Sequence, residues 1–113
     1  MSAIAKTPNP PYYAVIFTSV RNEGDNGYGK MADEMVKLGF SQPGFLGAES
    51  VRDSDGVGIT VSYWDSLEAI ENWRNDSSHK EAQRLGQELW YKNFATRVCK
   101  VERQGLCNHS NIE

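Results

Sequence analysis

Hydrophobic and polar positions along the chain fall into patterned stretches separated by turn-forming residues. Tyr12 to Val20 is apolar, β-branched and aromatic, with Tyr13, Val15 and Phe17 on one side and Tyr12, Ala14, Ile16 and Val20 on the other. A strand apolar on both faces expects cover on both. Asn22 to Gly29 is rich in Gly and Asn and predicts a loop. Tyr28, Met31, Met35 and Leu38 then form one stripe at helical spacing, with Gly39 as a stop signal. Phe45 to Arg52 and Val57 to Trp64 read as two strands joined by the turn Asp53-Ser54-Asp55-Gly56, an antiparallel hairpin. Within the second of these, Val57, Ile59, Val61 and Tyr63 share one face, and Gly58, Thr60, Ser62 and Trp64 the other. Asp65 with Glu68 offers an N-cap and capping box for a helix to about Arg74. Asn75-Asp76-Ser77-Ser78 interrupts it, and Ser78 with Glu81 offers a second box for a helix to about Trp90. A last strand covers Phe94 to Glu102.

Strand, helix, two strands, broken helical region, strand is the order of an α+β ferredoxin-like β-α-β-β-α-β unit, with helices on one face of a four-stranded antiparallel sheet. The second apolar face of the first strand needs its own cover. A second copy of the sheet, in a two-fold homodimer, is the natural candidate. The folded domain is expected over residues 12–103. Pro8, Pro10 and Pro11 mark residues 1–11 as a flexible N-terminal arm, and residues 104–113, with Gly105 and Asn108-His109-Ser110-Asn111, form a loose polar tail.

Composition narrows the classes. With 113 residues, 39% hydrophobic and 24% charged, the chain is one modest globular domain. A formal net charge of −3 and no cluster of Lys and Arg argue against nucleic acid. No apolar run is long enough to span a membrane, and Met1 to Pro11 lacks the pattern of a signal peptide, so a cytoplasmic protein is expected. Cys99 and Cys107 fit no zinc spacing and are expected as reduced thiols, and no metal is expected.

His79 is the one histidine inside the predicted domain, on a helical face with Ala82, Gln83 and Gly86. The positive end of the helix dipole disfavours imidazolium there, so the ring is expected neutral and able to accept a proton. The alternative is a first-turn histidine bonded to solvent or to a loop. Trp64, Trp73, Trp90, Tyr63, Tyr13 and Phe17 make a dense aromatic set for so short a chain. Such rings build cores and line pockets for flat ligands alike. Trp73 is read as core, Trp64 as core or pocket, and Trp90 as pocket wall or interface anchor. Asn22 either points its amide into a cavity mouth or bonds its own backbone. Arg97 suits an ion pair. Gly24, Gly27 and Gly29 do not make a phosphate loop, because the GxxxxGK[ST] pattern is absent.

Several of these residues together carry a family resemblance: Tyr63-Trp64-Asp65-Ser66-Leu67-Glu68-Ala69-Ile70, Trp73, His79, Ala82-Gln83, Gly86, Trp90-Tyr91, Arg97 and Val101-Glu102-Arg103. From about Tyr12 to Arg103 the chain resembles the antibiotic biosynthesis monooxygenase domain, in a branch of small bacterial proteins of unassigned substrate. The resemblance implies a dimeric α/β barrel. It also implies oxidation of aromatic polyketide rings by dioxygen without metal or flavin, as in some members, or haem degradation, as in others. In the haem-degrading relatives a Trp ends the third strand, matched by Trp64, but the iron-ligating histidine falls on Gln83 and the first strand lacks their Asn. No cofactor is therefore expected, with haem the disfavoured alternative. The expectation is a cofactor-independent monooxygenase for a small aromatic substrate, with His79 as base and Trp64, Tyr63, Gln83, Asn22, Phe17 and Trp90 around the substrate. The alternative is a non-enzymatic dimeric module that holds a small molecule or haem as carrier, sensor or stress protein.

Overall fold

The hairpin turn sets the frame. The Asp53 carboxylate accepts the amides of Asp55 and Val57 at 2.9 and 3.0 Å, and Gly56 takes a left-handed φ of 89°. In the computed structural model, which describes residues 4–107, this turn joins β2 (Phe45–Arg52) to β3 (Val57–Trp64). The remaining elements are β1 (Tyr12–Arg21), α1 (Tyr28–Phe40), α2 (Leu67–Arg74), α3 (Ser77–Leu85) and β4 (Tyr91–Val101). The fold is α+β: one antiparallel sheet in the order β2-β3-β1-β4 with its helices on one face. The polar segment Asn108-His109-Ser110-Asn111 lies outside the described residues.

Register decides which residues meet. Tyr13 stands opposite Trp64 on β3 and Lys100 on β4, Phe17 opposite Thr60 and Thr96, and Ser19 opposite Gly58 and Phe94. Opposed residues share a face, so Tyr13, Val15, Phe17, Ser19, Ser62, Trp64 and Arg52 lie under the helices. The other face carries Ile16, Val61, Tyr63, Val51, Val57 and Ile59. It is open: Val51 is 75% and Ile59 45% exposed. At its Tyr12 end lie residues 4–11, expected as a loose arm. Ala5 N–H donates to Glu49 Oε2 at 3.0 Å, and Gln104 Nε2 donates to the Pro8 carbonyl at 2.8 Å.

Four local readings change. Gly39 does not stop α1, which runs to Phe40; it is buried, and a Cβ there would sit 3.9 Å from Trp73 Cζ2, so its smallness serves packing. The cap of α2 is Ser66, which accepts Ala69 N–H, because Asp65 still belongs to the sheet end, donating its amide to the Gly44 carbonyl. The cap of α3 is Asp76, which accepts from Ser78 and His79, because the helix starts at Ser77 and a carboxylate is the stronger acceptor. Finally, α3 stops at Leu85 and a π-helical turn, Gly86–Trp90, carries the chain straight into β4 at Tyr91, so the last strand starts three residues earlier than Phe94.

Candidate functional site

Two clusters of side chains occupy the helix-covered face. The first lies where β3 ends. Trp64 is 1% exposed and its Nε1–H donates to Ser62 Oγ at 2.9 Å. Trp73 of α2 lies over it, ring centroids 6.3 Å apart and 27° from parallel. His79 of α3 stacks in turn on Trp73 at 4.0 Å and 12°. The break between α2 and α3 creates this stack: Asp76 caps α3 through the amides of Ser78 and His79, which fixes the first helical turn against the end of α2.

The stack defines the state of the imidazole. His79 Nδ1 lies 3.0 Å from the Trp73 carbonyl oxygen, which can only accept, so Nδ1 carries the proton and Nε2 the lone pair. Among the described residues Nε2 has no protein partner, and it keeps access to solvent. Burial lowers the pKa of His79 below its ordinary value; the Trp73 carbonyl and the Asp76 carboxylate oppose this without reversing it. Burial, rather than the helix dipole, is the leading force toward the neutral ring.

The second cluster lies at the other end of β1. Phe17 meets Tyr91 edge-on at 5.3 Å and Phe94 at 5.6 Å. Tyr28 meets Tyr91 and the buried Trp90 edge-on at 5.9 and 5.6 Å. Trp90 Nε1–H donates to the Asn26 carbonyl at 3.0 Å, and Asn22 Nδ2 donates to the Leu89 carbonyl at 3.1 Å. Asn22 thus ties the first loop to the π turn. Two cations complete the cluster. Arg21 stacks on the Tyr28 ring, Cζ 3.6 Å from its centroid. Arg52 donates through Nη1 to the Gly56 carbonyl at 2.5 Å and through Nη2 to the buried Ser19 Oγ at 2.7 Å.

The expected site residues are thereby divided. Trp64 and His79 come together through Trp73. Phe17, Trp90 and Asn22 come together in the second cluster. Tyr63 joins neither, because alternation puts it on the open face, where it meets Tyr12 edge-on and its hydroxyl donates to Glu49 Oε1 at 2.6 Å. Burial, then the bond to Glu49, pushes its pKa up to about 12. Gln83 is exposed and turns from His79 into a polar groove of about 470 Å³ with Glu71, Arg74, Lys80 and Arg84. An exposed amide in that groove does not fit a haem iron. A second groove of about 390 Å³ runs between α1 and α3 past Met31, Met35 and Leu38. Sequence reasoning missed Arg21, Arg52, Tyr28 and Tyr91. The available signal was glycine: a Cβ on Gly58 would come 2.5 Å from Arg52 Cζ, and one on Gly86 2.9 Å from the Tyr91 ring. Among the described residues no group of three His, Cys, Asp or Glu gathers to hold a metal, and no helix is long and apolar enough to cross a membrane.

Comparison with known proteins agrees with the fold. Residues 11–85 match the family model described as antibiotic biosynthesis monooxygenase. The uncharacterised protein YqjZ of Bacillus subtilis (strain 168) is 58% identical over 106 residues, 94% of this chain and 93% of its own length. The structure is similar to that of SnoaB, a cofactor-independent oxygenase from Streptomyces nogalater, with a TM-score of 0.72 and 12% identity over 88% of this chain and 100% of that one. Rv0793 from Mycobacterium tuberculosis is similar too, with a TM-score of 0.72 and 14% identity over 84% and 99%. At these identities the two structures speak for the fold.

Proposed function

Since the chain belongs to the antibiotic biosynthesis monooxygenase family, we propose that it is a cofactor-independent monooxygenase that oxidises a small aromatic, polyketide-like substrate with dioxygen. The observation that carries this reading is the imidazole of His79, neutral, stacked on Trp73, with Nδ1–H held by a carbonyl and Nε2 left as acceptor. Such a base can take a proton from an acidic ring position beside a phenol. The resulting carbanion is electron-rich enough to reduce dioxygen directly and then bond to it. Loss of water leaves a carbonyl, so a ring CH₂ and O₂ become C=O and H₂O with the substrate's own electrons. The protein's part is to position the ring, exclude water and stabilise the anion. Trp64 and Trp73 serve that task by holding the imidazole in place, ring on ring. The open sheet face, with Val51, Val57 and Ile59 exposed, supports a homodimer in which a second sheet covers it.

Oxygen uptake with a phenolic anthrone tests the reading. Wild-type protein is expected to consume oxygen, and His79→Gln to lose about 10²- to 10⁴-fold of the rate. Uptake unchanged in His79→Gln would contradict it. Binding without any uptake in wild type would point to the carrier.

A further inference from the structure

We propose that the Arg21–Arg52 end of the helix-covered face is a binding site for an aromatic carboxylate. The carboxylate would lie on the two guanidiniums and the ring against Tyr91 and Phe94. The site stands apart from the reaction assigned to His79 and does not depend on it.

Guanidinium groups keep their charge in proteins, so a partly buried pair needs either counter-charge or many acceptors. Among the described residues, the ion pairs all belong to Arg84 on the outer face of α3. Of the acids in the two adjoining turns, the Asp53 carboxylate holds the amides of Asp55 and Val57 and that of Asp25 the amides of Gly27 and Gly29, while Glu23 and Asp55 form no ion pair with either arginine. Arg52 takes neutral oxygens only, from Ser19 and Gly56. Arg21 has the Gly24 carbonyl at 3.1 Å, while its Nη1 is shut off from water with no hydrogen-bond partner. A buried donor left idle is rare in folded proteins and asks for an explanation. It marks a cation that the fold leaves short of acceptors, and a ligand carboxylate would meet the remaining edge of that guanidinium. The Arg21 backbone amide and Arg52 Nη1 both donate to the Gly56 carbonyl, and Arg52 Cζ lies 5.9 Å from the Tyr91 ring centroid, so the two arginines share one locus. Gly58 and Gly86 keep the room that Arg52 and Tyr91 occupy. The neighbouring walls are aromatic, with Phe17 edge-on to Tyr91 and Phe94 43% exposed. A planar acid matches both the fork of the cations and the flat walls.

Calorimetric titration of the full chain with 2-naphthoate, 2-naphthamide and inorganic phosphate tests the site. Naphthoate is expected to bind at least about tenfold more tightly than the amide or phosphate. Arg52→Gln removes bonds to the buried Ser19 and is a risk to folding, so Arg21→Gln, which deletes an unsatisfied donor, is the decisive variant. It also gives up the exposed Gly24 bond and the Tyr28 contact, and should keep the wild-type circular dichroism spectrum and cooperative unfolding and lose the preference for naphthoate over naphthamide. Equal binding of acid and amide by wild type, phosphate as tight as naphthoate, undiminished naphthoate binding in Arg21→Gln, or no binding up to ~5 mM would each overturn the proposal.

Discussion

At one end of the helix-covered face Trp64, Trp73 and His79 lie ring on ring; at the other, Tyr28 and Tyr91 meet edge-on beside two guanidiniums. Both ends are aromatic, and both draw on the end of a strand and the start of a helix. They differ in the titratable group that the rings enclose. Imidazole can shed its charge, so burial at the first end yields a neutral base. Guanidinium cannot, so the second end retains two positive charges and collects neutral oxygens around them. Similar packing thus favours a neutral imidazole in one place and, among the described residues, leaves two guanidiniums without an ion-pair partner in the other.

Substitutions at the two ends should separate these effects. The largest change is expected from Trp64→Ala, which removes a fully buried ring from beneath Trp73 and should cost about 3–5 kcal/mol in denaturant unfolding. It should also raise the pKa of His79 by letting water into the stack. A smaller change is expected at the cationic end. Gly58→Ala places a Cβ where the Arg52 guanidinium lies, and the flexible arginine must swing away from Ser19 and Gly56. The loss of those charge-assisted bonds should cost about 1–3 kcal/mol and weaken naphthoate binding, while the pKa of His79 stays as it is. If Gly58→Ala moved His79, or Trp64→Ala left it unmoved, the two ends would not be the independent units described here.

The sequence disclosed one end better than the other. The limits of β2 and β3 were legible because alternation and the Asp53–Gly56 turn agree, and that register delivers Trp64 to the helices. His79 was legible as a first-turn helical residue next to a break. Its stacking on Trp73 was not, because the angle between α2 and α3 is set by tertiary packing and by the Asp76 cap. Arg21 and Arg52 were invisible as a pair: they are far apart in the chain and meet only because β1, β3 and β2 are neighbours. Tyr91 was hidden by the π turn, which has no simple periodic signal and brings β4 forward. Tyr63 and Gln83 fall outside both clusters for two geometric reasons. Tyr63 is one residue from Trp64 and so points to the other face of the strand, whereas Gln83, one turn on from His79, is exposed and opens to a solvent groove.

The most direct test of the account is an NMR titration of the His79 imidazole in wild-type protein, with His79→Gln used for assignment. The structure predicts the Nδ1–H tautomer and a pKa below 6.5, the ordinary histidine value. Because the folded-state value is depressed, the neutral ring's contribution to stability is present above the unfolded value. It is lost as pH falls through the folded one, and oxygen uptake should fall over the same range. An imidazole with the proton on Nε2, or one that titrates at or above 6.5, would contradict the claim that this stack was built around a proton acceptor.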